Sequence, residues 1–156
     1  MRSPAPITLA TLTLLVAALA GAGAGQDPAP PAVLDAWLGE RLTVDLAALP
    51  ERAPLADDEA FRVVELGRDA HTSHHVVAIR DGELPHRHDQ HGLLVVMLRG
   101  HGTMRLGSEL QPVGEGSILY VPRGTVHAFS NASGEIAYAY AVYSPAFDGA
   151  DRVLVD

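Results

Sequence analysis

The sequence predicts an all-β fold: a small antiparallel sandwich or barrel, built as one domain. Three observations lead there. From Phe61 onward, β-branched and aromatic residues recur in short runs that alternate or run continuously apolar. Gly and Asp-Gly turns separate these runs at short, regular spacing, as at Asp81-Gly82, Gly100 and Ser133-Gly134. No long helical pattern intervenes, and many short strands without long helices indicate an antiparallel sandwich or barrel.

Taken in order, residues 1–25 read as a secretory signal. Arg2 supplies the positive start, Ile7 to Ala20 the apolar stretch, and ALAGAGAG the small residues that a signal peptidase accepts. The strongly apolar part is shorter than the ~20 residues a spanning helix needs. Export with cleavage is therefore expected, to a periplasmic or secreted location. Residues 26–59 form a linker and a short helix. Gln26 to Pro31 is proline-rich, and Val33, Leu34, Trp37, Leu38 and Leu42 follow at helical spacing, predicting a short amphipathic helix or turn. Pro50 to Glu59 is polar and Pro-punctuated, the mark of a loop. The folded domain spans 60–156. Its strands are expected at Phe61–Leu66, Ser73–Arg80, Leu93–Leu98, Gly102–Leu106 and Ser117–Val121. Three more follow at Val126–Ser130, Glu135–Ser144 and Val153–Val155.

Composition narrows function. The chain contains no cysteine, which removes acyl anchoring, Cys-based zinc sites, Cys nucleophiles and disulfides. Its net charge is −8, with the acidic residues Asp57-Asp58-Glu59, Asp148, Asp151 and Asp156 scattered. No basic stripe exists to neutralise phosphates, so nucleic acid is not an expected partner. The same charge argues against anionic membrane surfaces once the signal is removed.

The most informative stretch runs from Gly116 to Asn131, with Gly116, Pro122, Gly124, His127 and Asn131 spaced Gly-x5-Pro-x-Gly-x2-His-x3-Asn. Pro122 and Gly124 form a turn that delivers His127 to the start of a strand. This stretch resembles the second conserved motif of the cupin superfamily at all five positions. His86-Arg87-His88 followed by Gly100 resembles the first motif. The resemblance implies a single cupin jelly-roll β-barrel, an architecture that encloses a cavity. It also implies a homodimer formed through sheet edges.

Eight histidines are present: His71, His74, His75, His86, His88, His91, His101 and His127. His86 and His88 are two apart, so a strand would point both to one face, and His127 arrives from another strand. Three such imidazoles can cap one divalent transition metal, whether Fe, Zn, Mn, Ni or Cu, and leave positions open for water or substrate. The other histidines match no motif position. His71, His74, His75 and His101 are expected at the surface, with pocket lining a minor alternative.

The first motif of the family usually carries a glutamate after His-x-His. Counting back from Gly100 lands on Leu93, and the shorter spacing from His88 lands on Gly92; neither is a carboxylate. His91 lies beside the vacated place. A strand that begins at His91 would turn it inward as a further ligand, whereas a turn over Asp89-Gln90-His91-Gly92 would aim it into solvent. Neutral imidazoles leave a bound divalent ion at +2, which favours anionic ligands. If the parity of residue 93 faces inward, Leu93, Val95, Met97 and Phe129 line the pocket. Tyr138 and Tyr140 share one face of their strand, either inside or outside.

Two functions follow. The first is a metal-dependent enzyme, oxygenase-like by resemblance to three-histidine cupins, acting on a small organic anion. The second is a non-catalytic cupin that binds a metal, a small ligand, or both; a degenerate cupin serving as an interaction module is a weaker third. Intact mass of the protein from its native host is expected to show a chain that begins after Ala20, Ala22 or Ala24. A species retaining Met1 in the membrane fraction would contradict export.

Overall fold

The computed structural model describes residues 32–35 and 42–155. The expected signal, the proline-rich linker, Trp37 and Leu38 lie outside them. Strands β1 (Ala32–Asp35) and β2 (Leu42–Asp45) pair antiparallel, and a 3-10 turn leads into α1 (Leu49–Arg52). The barrel strands follow: β3 (Phe61–Arg68), β4 (Ser73–Ile79), β5 (His86–Arg87), β6 (Gly92–Arg99) and β7 (His101–Leu106). Then come β8 (Glu109–Gly114), β9 (Ile118–Val121), β10 (His127–Asn131), β11 (Ala137–Ser144) and β12 (Val153–Leu154).

Two five-stranded antiparallel sheets result, in the orders β3-β4-β11-β6-β9 and β12-β5-β10-β7-β8. The core lies between them. Val77 and Ile79 of β4, Leu93, Val95 and Met97 of β6, and Ala139 and Ala141 of β11 face Met104 of β7 and Phe129 of β10. The period-2 alternation of each strand places these residues inward. On β11 the inward positions are Ala137, Ala139 and Ala141 before Tyr143. Three methyl side chains in a row fill little volume, so the barrel keeps a chamber beside them.

The outer face of the first sheet is covered by α1. Pro50 sets the first turn, with Glu51 at the start and Arg52 at the end complementing the helix dipole. Ala53, whose N–H bonds Leu49 O at 2.9 Å, ends the helix ahead of Pro54. Leu49 and Ala53 are fully buried against Val76, Ala78 and Tyr138.

Several expectations change. A short helix is present at Leu49–Arg52; of the stretch expected to be helical, Val33 and Leu34 fall in β1 and Leu42 in β2, and residues 36–41 lie outside the described residues. The register Val33↔Val44 and Leu34↔Thr43 gives the β-branched residues strand partners that a lone helix turn would not. Strand β8 was not expected because Pro112 interrupts a polar run. Among the described residues it is an edge strand, paired with β7 alone, where a missing N–H costs little. Tyr138 and Tyr140 sit on the outer face, packed under α1 with Val76 and Ala78. His74 and His75 are buried, contrary to a surface location, because β4 is a central strand covered on both faces.

Leu49→Ala is expected to lower the unfolding free energy by about 2–4 kcal/mol, since it empties a fully buried leucine site. Urea unfolding followed by tyrosine fluorescence checks this; a loss below about 0.5 kcal/mol would mean that the cover contributes little.

Candidate metal centre

The two motifs meet across one strand pair. His86 of β5 is registered opposite His127 of β10, so their side chains lie side by side on the inner face. Their ring centroids are 4.3 Å apart, and those of His88 lie 5.3 Å from His86 and 5.5 Å from His127. All three are buried, and one ring nitrogen of each lies within 4.8 Å of the others. The turn of the second motif holds the arrangement. Gly124, at φ 74°, donates its N–H to His88 O at 2.7 Å, a conformation that glycine adopts at no steric cost.

Each imidazole is oriented in the same way. Nδ1 of His86 donates to Leu84 O at 2.9 Å, Nδ1 of His127 to Thr125 O at 3.0 Å, and Nδ1 of His88 to the backbone carbonyl of Asp151. A proton held at Nδ1 leaves Nε2 as the bare ligand nitrogen, the usual outer-shell device at metal-bound histidines. Burial pushes the His86 imidazole down to about 3, with His127 adding to the effect. Burial also lowers His88 and His127, against the opposing pull of their carbonyl bonds. The three rings are therefore neutral near pH 7. Three buried, neutral, Nδ1-anchored imidazoles fit a divalent transition metal.

His91 is placed differently. Its Nδ1 lies 2.6 Å from Asp151 Oδ2 and its Nε2 lies 3.2 Å from Ala146 O. Both ring nitrogens face oxygen acceptors, so neither presents a lone pair to the three-histidine cluster. Asp151 is the residue that sequence reasoning missed. Its carboxylate accepts the N–H groups of Asp89 (3.0 Å), Gln90 (2.7 Å) and His91 (3.2 Å) as well as the His91 ring. Burial alone would raise this carboxyl, but the His91 bond and the amides hold it below its usual range. No local pattern marks it, because its partners are some sixty positions upstream.

A chamber of about 50 Å³ opens beside His86 and His127. The expected lining by Leu93, Val95, Met97 and Phe129 is present, and Glu83 and Tyr143 join it. Tyr143 follows from the odd-numbered parity of β11, the opposite of the pair Tyr138 and Tyr140. It stacks on Phe147 with centroids 4.6 Å apart, and both rings pack edge-on against His88. His75 also packs on Tyr143 at 5.0 Å, with Nε2 2.9 Å from Ser73 Oγ. His71 and His101 are exposed.

Fold and site together define a jelly roll whose three clustered histidines could hold a metal, and the comparisons agree on the fold. The cupin domain matches residues 73–143. An uncharacterised protein of Aquifex aeolicus is 35% identical over 98 residues, 63% of this chain and 80% of that one. The chain belongs to the cupin superfamily. A Klebsiella pneumoniae protein with a double-stranded β-helix domain superposes with a TM-score of 0.60 at 16% identity, over 69% of this chain and 94% of that one. The Streptomyces protein Pac13, a nucleoside dehydratase solved with uridine, gives 0.55 at 20% identity, over 68% and 87%.

The buried histidines also set a pH dependence. His75, pushed down to about 4 by burial, and His86, at about 3, are neutral in the folded chain across a range where the unfolded chain takes up protons. Their folded values lie below the unfolded ~6.5, so stability is whole above that pH and is lost as pH falls toward 4 and 3. Glu83, raised by burial, works in the opposite sense. Metal-free protein is expected to lose up to ~1.4 kcal/mol per pH unit for each such histidine, read from urea midpoints between pH 7.5 and 5. His75→Gln should flatten the slope by one group; an unchanged slope would contradict the assignment.

Proposed function

We propose that the protein is an exported, metal-dependent enzyme that acts on a small organic anion at a centre formed by His86, His88 and His127. The observation that carries this reading is the common anchoring of the three imidazoles through Nδ1, which aims three bare nitrogens at one point beside a chamber. A divalent transition ion held there would act as a Lewis acid toward a bound substrate oxygen or O2. Neutral ligands leave its full charge, and Arg152 adds a permanent cation 3.4 Å from His86 Nδ1. Both favour an anionic substrate. Leu93, Met97 and Phe129 exclude water from the hydrocarbon part, and the Tyr143 phenol, pushed up by burial, keeps its proton as a donor. An oxygenase-like reaction is the first expectation. The small chamber favours the second reading, a non-catalytic cupin that holds a metal and a small ligand. It has room for roughly three to five water-sized groups at ~10–15 Å³ each.

His91 is proposed to stand outside the metal's ligands, as an outer support with Asp151. Elemental analysis of protein produced with its signal intact is expected to find about one transition metal per chain. His86→Ala, His88→Ala and His127→Ala should each weaken metal binding at least tenfold, ~1.4 kcal/mol. His91→Ala should keep both stoichiometry and metal spectrum; a changed spectrum would make it a ligand. Oxygen uptake with a panel of small carboxylates separates the enzyme from the binder, and binding without turnover under air or argon would favour the latter.

A further inference from the structure

The outer face of the first sheet is apolar well beyond the part that α1 covers. Period-2 alternation turns Leu94 and Val96 of β6, Ile118 and Tyr120 of β9, and Tyr140 and Val142 of β11 to one side. Register joins them into one patch. Tyr120 lies opposite Leu94 and Ile118 opposite Val96, and across the next ladder Leu94 meets Val142 and Val96 meets Tyr140. Tyr140 packs against the cluster under α1, and exposure rises from it toward β9. Leu94 is 41% exposed, Ile118 69% and Tyr120 67%. The solvated face of an antiparallel sheet is ordinarily polar, so six uncharged side chains in one patch mark a contact.

We infer that this patch is the contact between two copies of the chain, packed face to face about a twofold axis beside β9. Charge favours a second copy over a foreign partner. The chain carries −8, so two copies repel except where they meet through uncharged surface, and none of the six side chains is charged. A basic partner, the kind that the net charge would attract, finds no carboxylate among them to pair with. A twofold contact also needs one patch that fits itself, and branched aliphatic and phenol side chains of similar reach do. Size agrees. At roughly 200 Å² per whole side chain, the exposed parts of Leu94, Ile118 and Tyr120 come to roughly 350 Å² of apolar surface. That is nearly half of the ~800 Å² that each partner gives to a stable interface, in keeping with an apolar centre inside a polar rim. The sheet face makes this contact, not the pairing of edge strands.

The test uses protein expressed from the full chain, in sedimentation velocity over a concentration series. Wild type is expected to be a dimer at ~50 µM, since interfaces of this size hold from micromolar to picomolar. Ile118→Asp and Tyr120→Asp each bury a carboxylate against its twofold mate and should raise the dimer dissociation constant at least ~30-fold. Leu110→Asp, at an equally exposed leucine on β8 of the other sheet, should leave the dimer intact. Far-ultraviolet dichroism checks that each variant is folded. Because the chain has no cysteine, Tyr120→Cys gives a second reading without an added charge. A bismaleimide should join two copies of that variant and should leave Leu110→Cys unjoined. A wild-type monomer at ~50 µM overturns the proposal. So does a monomer whose single tryptophan, Trp37, is shielded until Tyr120→Asp exposes it, because the occupant is then the chain's own N-terminal segment. A dimer that persists in both Asp variants, or that cross-links through residue 110 alone, overturns it by placing the contact elsewhere.

Discussion

One buried carboxylate ties the site to the fold. Asp151 gathers three consecutive backbone N–H groups, those of Asp89, Gln90 and His91, and the His91 ring, while its own carbonyl takes the Nδ1–H of His88. The loop that follows the first motif is thereby fastened to the C-terminal segment, and β12 pairs with β5 beside it. A buried carboxylate is costly unless its lone pairs are satisfied, and here each oxygen is. The same contact that stabilises the loop sets the orientation of His88. His91, next to the family's usual glutamate position, gives its Nδ1 to this clasp.

The chamber depends on what is absent as much as on what is present. Small residues on the inner face of β11 leave room, and the missing Cβ of Gly82 lets the chain approach β10 closely. Tyr143 and Phe147 then close one end, packing against His75, His88 and His91. The histidine cluster is thus held by backbone carbonyls at each Nδ1, and His88 also by the aromatic edges behind it. That rigidity keeps three neutral imidazoles aimed at one point, which a mobile loop would not do.

Much of this was legible before the fold was known. The β runs separated by turns, the motif glycines and the pair His86 and His88 with His127 all depend on local geometry and spacing. Period-2 alternation carried through to Leu93, Val95, Met97 and Phe129 inside the chamber. The shared face of Tyr138 and Tyr140 was also legible, but which side of the sheet it takes was not; it is the outer one, where α1 covers them. The segment from Val33 to Leu42 read as helix because apolar spacing alone cannot distinguish a short helix from two strands. His74 and His75 read as surface because nothing local says that β4 is covered on both faces.

The sequence by itself determined the all-β class, the cupin motifs and the convergence of His86, His88 and His127 while leaving His91 open, since each rests on residues close in the chain or on a strand's fixed alternation. Only the tertiary structure decided the partners of Asp151, His91 among them, and the entry of Glu83 and Tyr143 into the chamber. Those outcomes depend on contacts between segments distant in the chain, Asp151 with Asp89 to His91 and Gly82 with Phe129. No local pattern encodes such distances, because they are set by how the two sheets close on each other.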